Sequence, residues 1–156
     1  MRRTDRECLE PSFLNDVLQR AEDLSLAFST EDYPYVIPLN FALMDGALYM
    51  HCATEGRKLD LLAQDSRVGF TAQVDVTVDS VHKTTWYKCV YGTGHAALVT
   101  DAALKEKALQ AISRKYRSCC PVPTAPAMLE RTGILRVDII SLTGKQHAPK
   151  KDSSAG

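Results

Sequence analysis

The chain has 156 residues, enough for one domain with a buried core and too few for two. Its 19 Lys and Arg balance 19 Asp and Glu, so no broad field exists to gather nucleic acid or an anionic membrane, and any bound anion must be held by a local site. Near the start of the chain the longest apolar run is Leu26–Phe28, far shorter than a signal-peptide core or a membrane span, which predicts a cytoplasmic protein. Cys8, Cys52, Cys89, Cys119 and Cys120 make an odd count with no C-x-x-C spacing, which predicts reduced thiols and no metal centre.

In chain order, Pro11–Glu22 carries Phe13, Leu14, Val17, Leu18 and Ala21 at helical spacing, with the proline in the first turn where a helix tolerates it. Leu24, Leu26 and Phe28 alternate with Ser25, Ala27 and Ser29, the pattern of a half-buried strand, and a second apolar stretch runs from Tyr35 to Met44. Asp45-Gly46 suits a type I′ turn, whose two central residues need positive φ, and so pairs that stretch with Ala47–Cys52. Thr54 is predicted to cap a helix from about Glu55 to Gln64. Val68–Val78 and Trp86–Val99 read as strands, and Thr100 or Asp101 caps a helix with Leu104, Ala108, Leu109, Ile112 and Tyr116 on one face. CCPVPTAPAM is a loop, since its prolines remove amide donors. Ile134 to Leu142 is the last strand, followed by Thr143-Gly144-Lys145. Residues 1–146 are expected to form one domain and 147–156 a disordered polar tail.

Strands joined by hairpins imply an antiparallel sheet, and six strands with few helices to cover them are best protected by curling into a barrel. The expected fold is therefore mainly β, a barrel with flanking helices. A parallel α/β sheet would need a helix between most strands, and the sequence does not supply one.

Two stretches have the residues to hold a phosphate. YGTGHAA contains the Gly-x-Gly-x-x-Ala spacing of a dinucleotide fingerprint in Gly92, Gly94 and Ala97. A helix does not follow at once, however, so the glycines are assigned to a bent or bulged strand. HCATEGRKLDLL is the better candidate. Arg57 and Lys58 stand at the start of a helix, where partial positive charge already collects and native sequences favour carboxylates; a bound anion would resolve the conflict. Pro38 removes a ladder donor from YVIPLNFALM, placing it at an edge or irregularity and leaving Leu39 and Asn40 able to bond a ligand.

Taken together, YVIPLNFAL, DGALYMHCATEGRKLDLL, DSRVGFTA, WYKCVYGTGHAALV and LRVDIISLTGK resemble the FMN-binding split barrels related to pyridoxamine 5′-phosphate oxidase. Within them they are most similar to the 5-nitroimidazole resistance (Nim) group. The resemblance implies a six-stranded antiparallel split barrel and FMN as cofactor. It implies that Pro38, Leu39 and Asn40 line the isoalloxazine, His51 and Ala53 flank it, and Arg57 and Lys58 hold the phosphate. It implies that Tyr87, Lys88, Cys89 and Val90 contact the flavin from the neighbouring side, and that the site is completed across a homodimer interface. Cys52 and Cys89 stand where small or hydroxyl residues are more usual, and the C-terminal Arg and His pattern of true pyridoxamine-phosphate oxidases is not recognisable, which disfavours that activity. The implied activity is reduction of a small, electron-poor substrate such as a nitro-aromatic, with His51 as the catalytic residue. The alternative is a flavin- or haem-binding module without turnover, with His51, His82, His95 or His147 as an axial ligand.

Overall fold

The structure, a computed structural model, describes residues 3–116 and 130–149. The expected loop at Cys119–Met128 and the tail from 150 onward lie outside the described residues.

After a short 3-10 turn at Thr4–Arg6 come β1 (Glu7–Cys8), α1 (Pro11–Arg20), β2 (Leu24–Phe28), β3 (Tyr35–Leu39), β4 (Ala42–Met44), β5 (Ala47–Cys52), α2 (Arg57–Gln64), β6 (Arg67–Asp79), β7 (Thr84–Leu98), α3 (Ala102–Lys115) and β8 (Gly133–His147). All the pairings are antiparallel, in the order β3-β2-β6-β7-β8-β5-β4, with β1 added beside β8. The path begins at β3 and ends at β4, yet only Asn40 and Phe41 separate these strands in the chain. Laid flat, seven strands would put the edges roughly 30 Å apart. The link from Leu39 to Ala42 spans at most about 11 Å. The sheet must curl until its ends meet, and the ends meet without pairing.

The barrel is filled by Leu24, Leu26, Phe28, Leu48, Met50, Val68, Phe70, Val90, Leu135 and Val137, all nearly or fully buried, and α1 adds Val17 and Leu18. A smaller cluster beneath α3 joins Ala108 and Ile112 to Ala42, Ala47, Tyr49 and Ile134. Burying a Leu or Phe of this kind contributes about 1.5–3 kcal/mol each. Asp101 caps α3 by accepting the Leu104 N–H at 2.6 Å, the second of the two expected caps.

Several boundaries move for physical reasons. The stretch Tyr35–Met44 is two strands rather than one, because it leaves β2 after Leu39 and joins β5 from Ala42. Thr54 does not cap α2: the N-cap is Gly56, whose φ of 115° a residue inside a helix cannot adopt, so the helix starts at Arg57 and Glu55 precedes it. Helix α1 stops at Arg20, with Ala21 already extended. The last strand runs on past Leu142 through Thr143-Gly144-Lys145, and His147, expected in the tail, is the last residue of β8. The two-residue β1 carried no periodicity to read.

Gly92 and Gly94 lie inside β7, as the absence of a following helix required. A Cβ at Gly94 would stand 2.4 Å from the Asp138 carbonyl oxygen, and one at Gly92 would stand 2.3 Å from that of Ser141. Between Thr93 and Gly94 the register with β8 slips, which leaves Ile140 unpaired and 68% exposed. These glycines let β7 press against β8 where the sheet bends. Gly94→Ala should therefore cost about 1–3 kcal/mol, read as a lower urea midpoint at unchanged slope. An unchanged midpoint would mean that the bend has slack.

Candidate functional site

The crossover at Asn40-Phe41 makes a fork. The β4–β5 ladder ends at Ala42 opposite Tyr49, so Met50, His51 and Cys52 pair with β8 on one side and with no strand on the other. On the far arm β3 turns away to pair with β2 alone, and Pro38 sits opposite Ser25 on this outermost strand. A proline fits there because the missing N–H costs no ladder bond on an edge. The arms are bridged at Arg57, whose guanidinium lies over the Tyr35 ring, 4.7 Å from its centroid.

Alternation along each arm decides which side chains face the split. Pro38 and Asn40 are exposed, whereas Leu39 turns inward and packs on the core, so Leu39 can offer a ligand only its backbone. The Asn40 amide is already engaged, donating through Nδ2 to the Glu22 carbonyl at 3.0 Å; its Oδ1 is the remaining acceptor. On the other arm His51 and Ala53 are exposed, with half-buried Cys52 between them packed on the core. Burial pushes the Cys52 thiol up, while the nearby Lys58 and Lys105 ammonium groups pull it the other way. Cys52 is therefore a packed thiol.

Helix α2 opens without a side-chain cap, and its first-turn acid, Asp60, comes only at the fourth position. Leu59 and Asp60 both direct their N–H groups to the Gly56 carbonyl. The space beside the Gly56 Cα is open, with no atom within 4 Å of where a Cβ would stand. Among the described residues no carboxylate pairs with Arg57, Lys58 or Lys105. An uncapped helix start flanked by cations without counter-ions has the donor set of a phosphate site. Arg57 reaches toward the Tyr35 ring, and Lys58 stands beside it in the first turn, so both cations are available to one anion. Tyr35 reaches the site from a distant segment, and nothing in its neighbours in the chain signals this.

Tyr87, Lys88, Cys89 and Val90 are not part of this cluster. His51 lies opposite Ile134 at one end of β8 and Tyr87 opposite His147 at the other, on the order of 40 Å apart along the strand. That is longer than a flavin mononucleotide. Val90 is fully buried in the core, and Lys88 pairs with Asp75 at 3.1 Å, where Arg20 also holds Asp75 and keeps its carboxyl below the ordinary range. Cys89 is half-buried, and burial raises its thiol. What remains open at this end is an aromatic wall. The His147 ring is tilted against Trp86 at 4.5 Å and edge-on to Tyr87 at 6.4 Å, with its Nδ1 3.0 Å from the Thr85 carbonyl oxygen.

The other histidines are also engaged. His82 Nδ1 is 2.8 Å from Asp79, and His95 Nδ1 is 2.9 Å from Ser66 Oγ. His51 alone stands at the fork. The described residues contain no cluster of His, Cys, Asp and Glu able to hold a metal ion, and no helix among them is long and apolar enough to cross a membrane.

A sheet that curls until its ends touch, yet leaves them unpaired at a proline-bearing edge, is a split barrel, and this fold belongs to that class. Residues 13–146 match the sequence model of the family described as pyridoxamine 5′-phosphate oxidase, and the chain belongs to that family of flavin-binding proteins. No curated protein matches the chain. Among solved structures it is similar to a protein of Bacteroides thetaiotaomicron provisionally assigned to 5-nitroimidazole antibiotic resistance, with a TM-score of 0.80, 21% identity and coverage of 90% of this chain and 86% of that one. A flavocytochrome from Azotobacter vinelandii aligns with a TM-score of 0.78 at 16% identity, covering 95% of this chain and 72% of that one. An FAD- and haem-binding protein from Mycobacterium smegmatis aligns at 0.76 and 17%, covering 90% and 73%. At these identities the likeness is one of fold.

Proposed function

We propose that the chain is an FMN-binding flavoprotein that reduces small electron-poor compounds, nitro-aromatics among them, and works as a homodimer. The observation that supports this best is the pair of cations without counter-ions, Arg57 and Lys58, at the uncapped start of α2 beside a split bearing an exposed histidine. In this reading the side chains and backbone N–H groups of Arg57 and Lys58 hold the phosphate. Pro38 and Asn40 form one wall of the split, with the Leu39 backbone between them, and His51 and Ala53 form the other. When bound, FMN supplies the hydride or single-electron chemistry.

The chain's own tasks are binding, orientation and charge stabilisation. His51 is exposed on its arm, and in this reading its ring would donate to a substrate oxygen on which negative charge grows. No general base is needed, because the protons can come from water. Trp86, Tyr87 and His147 lie at the far end of β8 from their own chain's fork, so in this reading a second copy brings them to the split as a further wall.

The test uses FMN-loaded protein, chemically reduced without oxygen and mixed with a small nitro-aromatic. Reoxidation should outpace that of free reduced FMN. His51→Ala should slow it about tenfold to a hundredfold, in line with loss of a charge-stabilising donor, and should change FMN affinity far less. Reoxidation no faster than that of the free cofactor would make the protein a carrier or binding module instead.

A further inference from the structure

The apex of the fork is held mainly by Lys115 and Tyr116, which take no part in the binding just described. Asn40 and Phe41 belong to neither ladder, since β3 leaves its pairing at Leu39 opposite Leu24 and β4 begins its own at Ala42 opposite Tyr49. Nothing in the sheet fixes them. The end of α3 does so instead. Tyr116 Oη accepts the Phe41 N–H at 2.9 Å, donates to the Glu22 carbonyl and lies 3.1 Å from the Phe41 carbonyl oxygen. The Asn40 amide donates to the same Glu22 carbonyl. One residue earlier, Lys115 Nζ donates to the Leu18 carbonyl at 3.0 Å and sits 3.5 Å over the Phe41 ring, which is itself fully buried.

We propose that Tyr116, supported by Lys115, is a positioning residue for the flavin site: by fixing Asn40 and Phe41 it sets how far the arm bearing Pro38 stands from the arm bearing His51. The proposal rests on the flavin reading above. Apolar packing would suffice to close the barrel, and Phe41 already supplies it in the core. The polar lock adds definition of a backbone segment that no ladder defines, next to the residues assigned to the isoalloxazine wall. A single hydroxyl serves both sides, because it accepts from the crossover and donates to the segment after α1. Burial pushes the Lys115 ammonium down to about 8, in keeping with a group wedged between α1, the crossover and α3.

Tyr116→Phe keeps the ring and removes only the hydroxyl. With the full chain, the visible spectrum of bound FMN at saturating cofactor should shift in its maxima and lose vibronic resolution, and FMN affinity should fall by about threefold to tenfold. The spectrum at saturation is the deciding readout, because a merely stabilising tyrosine would lower the melting point without altering the environment of the bound ring. An unchanged spectrum and affinity in Tyr116→Phe, alongside a wild-type protein that binds FMN, would overturn the positioning role and leave the flavin reading intact. Failure of the wild-type protein to bind FMN would overturn the flavin reading and this inference with it. Should Tyr116→Phe not fold, Lys115→Met carries the test: a smaller spectral shift supports the inference, and no shift overturns it.

Discussion

Arg57→Ala or Lys58→Ala should weaken FMN binding roughly tenfold to more than a hundredfold while leaving riboflavin binding nearly unchanged. The magnitude follows from losing one charge-assisted bond to a phosphate, worth about 1.5–3 kcal/mol when the rest of the site stays in place. Neither substitution should unfold the protein. Arg57 is exposed and Lys58 half-buried, neither has a carboxylate partner among the described residues, and the contact of Arg57 with Tyr35 is worth only about 0.5–1 kcal/mol at such a site. The doubly substituted chain should bind FMN no better than riboflavin. Titration of each variant with both flavins checks this, and equal losses for the two would show that the cations act on something other than the phosphate.

A second large effect should come from mixing two defective chains. In the proposed site Arg57→Ala would remove the phosphate contact at the fork, and Tyr87→Ala would remove part of the aromatic wall at the other end of β8. One chain cannot bring the two together, because Tyr87 and His51 stand at opposite ends of β8. In a homodimer whose sites each take Arg57 from one copy and Tyr87 from the other, a mixed dimer contains one intact site and one doubly defective site. Random exchange of subunits should then restore about a quarter of all sites to wild-type affinity, where either variant alone restores none. Titration of the unfolded and corefolded mixture reads this fraction directly. No recovery would place the whole site within one chain.

The fold was legible where local chemistry decides structure. Alternation in Leu24–Phe28, the turn at Asp45 and Gly46, both at positive φ, and the cap at Asp101 are all statements about neighbours in sequence. The barrel followed from strands without enough helices to cover them. Pro38 pointed to an edge because an absent N–H is tolerated only where no ladder needs it, and β3 is that edge. Gly92 and Gly94 were read as strand residues because no helix followed them, and the close approach of β8 gives the reason they must be glycine.

The illegible parts depend on partners far apart in the chain. Gly56 looked like an interior residue of a helix capped at Thr54, since a φ of 115° leaves no mark in composition. The start of α2 therefore moved to Arg57, which places Arg57 and Lys58 at its first two positions. The crossover was hidden for the same reason: Tyr35–Met44 is continuously apolar apart from Asn40, and only the competing claims of β2 and β5 divide it. Tyr116 read as one more apolar position on α3. Its bonds to Phe41 and Glu22 exist because three distant segments converge there. Among the residues assigned to the flavin, the outward-facing ones, Pro38, Asn40, His51, Ala53 and Arg57, lie on the two arms of one fork or its bridge. Val90 and Leu39 turn their side chains to the core, because alternation along a strand gives every second residue to the other face.

The central claim is a flavin site built around a phosphate at the start of α2, and the measurement closest to it is titration of the flavin-free wild-type protein with FMN and with riboflavin. Binding can be followed by the visible absorbance of the flavin and the quenching of its fluorescence. FMN should bind at least about tenfold more tightly than riboflavin, the equivalent of one charged contact. Equal affinity for the two, or no binding of either, would contradict the claim.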